Sequence, residues 1–426
     1  PEGQAKALRR AYEKADYSPA TVELVEAHGT ATKAGDAAEV QGLTSVFGSE
    51  SEGEGPWCAL GSVKSRIGHT KAAAGSAGLI KVAMALHHKV LPPTLKVSRP
   101  NAKLGLGDGP LYINTEARPW IRGSDHPRRG SVSSFGFGGS NFHVTLEEYT
   151  GPGRRPDRLR VWSEELVALS ASTAEELEQA LRDTRARLDT GHGLALVAYD
   201  AAQAFRASDA ARVAIVAGSE QELASKLDKA VEAVSAGRTD AVTDPDMVFG
   251  FGAPAVGKLA FVFPGQGSQY VGMGASAAMV FDDARRVWDA AADMDVFADD
   301  RLDRVVFPPP AFTDEERTAQ AAAVTAMATA QPAIAAVSLG FLHLLGRLGL
   351  RPDAVAGHSF GELTALAASG RIAESDLLAT ARRRGELMAE AASSRAGAMI
   401  AVSASATRVH ELLDERVVGN AEHLLG

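Results

Sequence analysis

Short apolar runs separated by loops of small residues set the pattern of residues 21–150. "TVELVEA", "WCALGSV", "LYINTEA" and "HVTLEEY" read as strands, and "KAAAGSAGLIKVAMALHHK" reads as a long helix. A break is expected at "TGPGRRPDR", which is rich in Pro, Gly and Arg. From Leu166 a strand, "ELVALSA", meets "STAEELEQAL", in which Ser172 or Thr173 is the expected N-cap ahead of Glu175 and Glu176. "ARVAIVAG" and "SEQELASKLDKAVEAV" add a second strand and helix, giving a small β/α module whose polar residues follow helix-face spacing. After "TDPDMVFGFGAPAVG" a third region opens with the strand "KLAFVF". The pattern thus predicts three α/β regions, 1–150, 151–257 and 258–426.

Composition narrows the classes. A chain of 426 residues can bury two or three cores. Its net charge of -9 is spread out, with no basic block to track a phosphate backbone, so no nucleic-acid or membrane partner is expected. Apolar runs such as "AIAAVSLGFLHLLGRLGL" are broken by His and Arg and read as too short to span a bilayer. No signal peptide is apparent. The single cysteine, Cys58, rules out an internal disulfide or a cysteine-based zinc site, and suits a reducing cytoplasm. The chain opens at Pro1 without methionine, so a piece of a longer protein is expected.

Candidate chemistry starts at "EAHGTATKAGD", where Gly29 and Gly35 let the backbone turn and set His28 at the end of a strand. In "GSVKSRIGHTKAAAGSAG", His69 sits just before a helix whose positive end disfavours imidazolium, leaving a neutral hydrogen-bond donor. Lys64 lies on the same loop. Two neutral imidazoles and a lysine suit a developing enolate or oxyanion near a thioester. Glu39 also fits a capping box with Asp36, and His87 and His88 read as surface residues. In "SSFGFGGSNFHV", glycines flank Phe135 and Phe137 in what reads as a mobile turn.

These three blocks resemble the C-terminal half of a β-ketoacyl synthase of the thiolase fold. The resemblance implies that His28 and His69 are paired catalytic histidines of decarboxylative Claisen condensation. It implies that Lys64 and Glu39 are the supporting lysine and acid, and that Phe137 is the gating aromatic of the GFGG loop. Ala31 departs from the commoner glycine of EAHGTGT, a change expected to leave the chemistry intact. In that family the nucleophile is an upstream cysteine, and none precedes His28 here. Cys58 lies on a strand and reads as a core residue.

"AVAGHSFGELTALAASG" holds G-x-S-x-G between an apolar strand and a helix-forming run, the context of a nucleophile elbow carrying Ser359. "FVFPGQGSQYVGMG" supplies a second glycine-rich turn whose backbone N–H groups could face an oxyanion. A phosphate-binding reading fails for lack of a Walker lysine. Together these blocks are similar to the N-terminal part of a malonyl-CoA:acyl-carrier-protein acyltransferase, α/β-hydrolase-like in fold. The resemblance implies Ser359 as nucleophile, the backbone amides of Gln266 and Phe360 as oxyanion hole, and Arg384 as the grip on the malonyl carboxylate. Arg384 also reads as one of a solvated run with Arg382 and Arg383. His358 is expected to point away from the serine, and His410 and His423 do not match the family's base.

The order of a ketosynthase half, a β/α linker and an acyltransferase start resembles a type I multidomain synthase. Polyunsaturated-fatty-acid-type synthases are the nearer expectation, with modular polyketide synthases as the alternative. That resemblance implies malonyl-CoA as substrate, phosphopantetheine supplied by an acyl carrier protein, no cofactor in this fragment, and partners in the carrier protein and other synthase domains. It also implies a homodimer through the ketosynthase. An α/β-hydrolase using G-x-S-x-G alone and a non-catalytic truncated scaffold are the other readings.

Overall fold

The computed structural model describes residues 1–48, 55–153, 163–253, 257–298, 301–394 and 403–414, without the side chains of Phe137, Ala241 and 412–414. The chain forms two compact units, Gly153–Leu259 and a second made of Pro1–Pro152 with Ala260–Gly426. Residues 154–158 of the expected break lie outside the described residues.

In the first segment five strands form one sheet in the order Leu111–Ile113, Cys58–Gly61, Leu24–Glu26, Arg129–Phe135, Asn141–Glu147. Leu24–Glu26 runs parallel to both of its neighbours, and only Asn141–Glu147 is antiparallel. The carboxyl ends of the parallel strands therefore share one edge, the usual place for a site in such sheets. Glu2–Ala15 and Lys33–Phe47 pack with one core that includes Leu8, Tyr12, Leu43 and Phe47. Ala74–His88 contributes Val82, Ala85 and Leu86 to another with Leu24 and Trp120. Arg129–Phe135 corrects the sequence reading, because Phe135 ends a strand and is not in a mobile turn. The strand escaped pattern reading because two of its buried positions are polar. Ser131 and Ser133 are satisfied by Tyr12 and His143.

The middle unit is a three-stranded antiparallel sheet, Met247–Phe251, Ala211–Ala217, Glu165–Ala171, with helices Ala174–Asp189, Leu194–Ala204 and Glu220–Ser235. Alternate residues of Ala211–Ala217 are buried, as a sheet with one covered face requires. The expected cap forms at Thr173, whose hydroxyl accepts from Glu176 N–H, while Glu176 accepts from Ser172 N–H. Such caps are each worth about 1 kcal/mol.

In the last segment Ala260–Phe263 pairs in parallel with Ala354–Gly357. Asp282–Ala292, Met327–Arg347 and Glu374–Ser394 surround a core with Trp288, Leu339, Phe360 and Leu377. Met327–Arg347 has 21 residues and is long and apolar enough to cross a membrane by length and composition, contrary to the expectation from its His and Arg. Much of it is buried against that core. Buried Arg128 joins the first and last segments, donating to Glu148 at 2.8 Å and to Asp289 at 2.7 Å.

Candidate functional site

Two sites stand at the carboxyl ends of parallel strands. At the first, the chain leaves Leu24–Glu26 and turns at Gly29 (φ 49°), which puts His28 at the strand end. Gly35 is not part of that turn; it lies in the first turn of Lys33–Phe47, whose N-cap is Thr32. The capping-box reading of Glu39 fails for the same reason, since Asp36 lies inside the helix. Glu39 is buried, and its two carboxylate oxygens accept from the N–H groups of His28 (2.6 Å) and Gly29 (2.8 Å). Burial raises its pKa to about 7 against the lowering effect of those two bonds.

The imidazoles of His28 and His69 meet edge to face, with ring centroids 5.6 Å apart, and Phe135 lies 5.9 Å from His28. His69 Nδ1 accepts from the N–H of Lys71 at 3.1 Å, so a neutral ring carries its proton on Nε2 and can donate from there. Burial, followed by Lys64 and then His69, lowers the pKa of His28 to about 4, which keeps His28 neutral. Its Nδ1 is buried without a hydrogen-bond partner among the described residues. Lys64 opens the helical turn Lys64–Ile67, and burial lowers its pKa against the pull of Glu26 and Glu39. The side chain of Phe137 lies outside the described residues.

Sequence reading missed Glu26. Its carboxylate accepts from Val63 N–H at 2.5 Å and from the Lys81 ammonium at 2.7 Å, which pins the loop that presents Lys64. The available signal was an acid between apolar strand positions in "LVEA", where all of Leu24–Glu26 is buried. Cys58 is fully buried in its strand, and burial drives its thiol pKa well up, which disqualifies it as a nucleophile.

At the second site Ser359 adopts φ 53°, a left-handed conformation that strains a residue with a side chain. Steric crowding enforces it: a Cβ at Gly361 would come within 2.2 Å of the Phe263 carbonyl oxygen, and one at Gly357 within 2.0 Å of Gly361 itself. The exposed serine is thereby lifted at the start of helix Gly361–Ala368. The turn after Phe263 lies against the elbow, since a Cβ on Gly265 would meet His358 and Ser359. Among the described residues the backbone N–H groups of Gln266 and Phe360 donate to no other group.

Ser359 and Arg384 line one cleft of about 630 Å³ with Glu362, Leu363, Leu387 and Met388. The three consecutive arginines separate. Arg382 and Arg383 pair with Glu386 along the helix, whereas Arg384 donates to the side-chain carbonyl of Gln331 at 2.8 Å. His410 is exposed and its Nδ1 engages its own helix at the Ala406 carbonyl, and His423 lies outside the described residues. A lifted serine and a guanidinium in one cleft, with unengaged amides on the elbow and on the turn against it, can carry an ester and hold an anion.

The model of the β-ketoacyl synthase C-terminal domain matches residues 1–98, that of the ketoacyl-synthetase C-terminal extension 100–215, and that of the acyl transferase domain 260–423. The chain thus carries segments of the β-ketoacyl synthase and acyl transferase families. Its two ends are thus a ketosynthase segment and an acyl transferase segment, both of enzyme families that transfer acyl groups. The chain is 38% identical over 424 residues to polyketide synthase GfsA of Streptomyces halstedii, covering 96% of this chain and 5% of the relative. It is 35% identical over 430 residues to a polyunsaturated fatty acid synthase from Thraustochytrium sp., covering 94% of this chain and 15% of that protein. Polyketide synthase GfsE of Streptomyces halstedii is 39% identical over 387 residues, covering 88% and 10%. The chain therefore spans between a twentieth and about a seventh of the length of these relatives.

Proposed function

We propose that the chain supplies two parts of an acyl-chain-building synthase. Its acyl transferase segment takes malonyl from coenzyme A onto Ser359 and passes it to the phosphopantetheine of an acyl carrier protein. The observation that carries this reading is the single cleft shared by a lifted serine and an arginine without a carboxylate partner among the described residues. The Gln266 and Phe360 amides receive the developing oxyanion, and Arg384 pairs with the free carboxylate of the dicarboxylic acyl group. In the ketosynthase segment, His28 and His69 stabilise the enolate of a decarboxylating malonyl thioester, with Lys64 beside them and Glu39 fixing the strand end. The growing acyl chain rides on a cysteine outside these residues, because Cys58 is buried. The roles assigned to Phe137, to a ketosynthase homodimer and to a cytoplasmic location belong to the same proposal. Relatives of polyketide and polyunsaturated-fatty-acid type match at comparable identity, so likeness alone favours neither.

The test is competitive loading of the full-length protein with malonyl-CoA and acetyl-CoA, reading the ester on the Ser359 peptide by mass spectrometry. Ser359→Ala removes both esters. Arg384→Ala lowers the malonyl-to-acetyl ratio by about a hundredfold, the scale for leaving a charge unpaired in a closed site. An unchanged ratio would remove the dicarboxylate assignment.

A further inference from the structure

Gln331 lies near the start of Met327–Arg347, is fully buried, and touches the serine site from behind. Its carbonyl oxygen accepts from Arg384 Nη1 at 2.8 Å. Its amide nitrogen donates to Gln266 Oε1 and to Met388 Sδ, both at 3.3 Å. One side chain therefore joins the arginine, the cleft wall and the turn beside the elbow. Gly385 makes this approach possible: a Cβ there would come within 2.2 Å of the Met327 carbonyl oxygen, so the two helices meet backbone to backbone beside Arg384.

We propose that Gln331 is a positioning residue that sets the acyl transferase segment's preference for a dicarboxylic acyl group. The inference rests on the acyl-transfer reading above and deepens it. A buried amide can aim a guanidinium without neutralising it. Arg382 and Arg383, by contrast, are paired with glutamates. A carboxylate in place of Gln331 would form a charge-assisted pair with Arg384, and an incoming malonyl group would have to compete with it. Through Gln266 the same amide couples the aim of the arginine to the turn that lies against the elbow. Most side-chain hydrogen bonds go to backbone or water, so a glutamine that spends both ends on site side chains is placed for them.

The experiment uses the same competitive loading of the full-length protein, with Gln331→Glu, Gln331→Met and Arg384→Ala in parallel. Gln331→Glu is expected to lower the malonyl-to-acetyl ratio at least about tenfold, chiefly through the malonyl KM, as loss of a charged contact predicts. Gln331→Met keeps the volume but cannot accept a hydrogen bond as the amide does, and is expected to lower the ratio severalfold. It carries the test should Gln331→Glu not fold. A wild-type ratio in both folded variants, with the ratio lost in Arg384→Ala, overturns the role of Gln331 and leaves the acyl-transfer reading standing. If both substrates slow equally, Gln331 is a packing residue. If Arg384→Ala itself keeps the ratio, the reading beneath the inference fails instead.

Discussion

The histidine site and the serine site occupy the same place in their sheets and are held by opposite means. Around His28 and Lys64 the backbone is pinned by buried acids, Glu39 on the His28 and Gly29 amides and Glu26 on the Val63 amide. Around Ser359 no buried acid among the described residues plays this part. Backbone crowding at Gly357 and Gly361 fixes the serine, and a neutral amide aims the arginine. The difference teaches that the first geometry is electrostatic and answers to pH, whereas the second is steric and answers to single methyl groups.

The sharpest way to break this contrast is Gly361→Ala. The added methyl would sit 2.2 Å from a carbonyl oxygen that cannot move without unpairing the strand. A loss of several kcal/mol and of all ester formation on Ser359 is expected, measured by thermal melting and mass spectrometry. If Gly361→Ala loads malonyl normally, the elbow is not set by crowding.

Glu39→Gln comes next. The amide keeps one acceptor and turns its donor toward an N–H, so a loss of about 1–3 kcal/mol is expected. Its pH dependence separates the two sites further. Because the folded Glu39 pKa is raised from 4.5 to about 7, its contribution is fully present below 4.5 and is lost as pH rises through 7. His28 works the other way. Its pKa falls from 6.5 to about 4 on folding, so between those values the unfolded imidazole takes up a proton that the folded one refuses, and stability drops as pH falls. The two slopes oppose each other in the wild type. In Glu39→Gln, melting temperature should rise with pH from about 4.5 to 6.5 more steeply than in the wild type, and parallel curves would show that Glu39 does not carry the shift.

The smallest effect belongs to Ala31. It sits at φ 58°, where a side chain is strained and glycine is not, so the glycine of the EAHGTGT pattern would fit this point without strain. Ala31→Gly should stabilise the chain by about 1 kcal/mol, read by denaturant midpoint. A destabilised variant would mean that the methyl makes contacts worth more than the strain.

These contrasts also explain what could be read from the chain alone. His28, Lys64, His69 and Ser359 were legible because each comes soon after an apolar strand and close to a glycine, a local signature of a strand end. The helix capped by Thr173 was legible because its cap lies within four residues. Glu39 was half legible: the residue stood out, but its partners are two backbone N–H groups eleven and ten residues away, and a capping pattern offered a nearer explanation. Glu26 left only the signal of an acid in an apolar run and Gln331 left none, since Lys81, Arg384 and Gln266 reach them from distant segments and no local spacing records such contacts. The strand Arg129–Phe135 was lost to its buried serines, whose partners Tyr12 and His143 lie on other elements.

The parallel pairing of Ala260–Phe263 with Ala354–Gly357 has a consequence for biosynthesis. Parallel strands must be joined by a crossover, and here most of the last segment's helices lie between the two. The turn at Gln266 therefore leaves the ribosome well before the serine that it faces, and the strained backbone at Ser359 has nothing to hold it until that distant pairing closes. Loop closure, not translation of the serine codon, marks the moment at which the lifted serine exists.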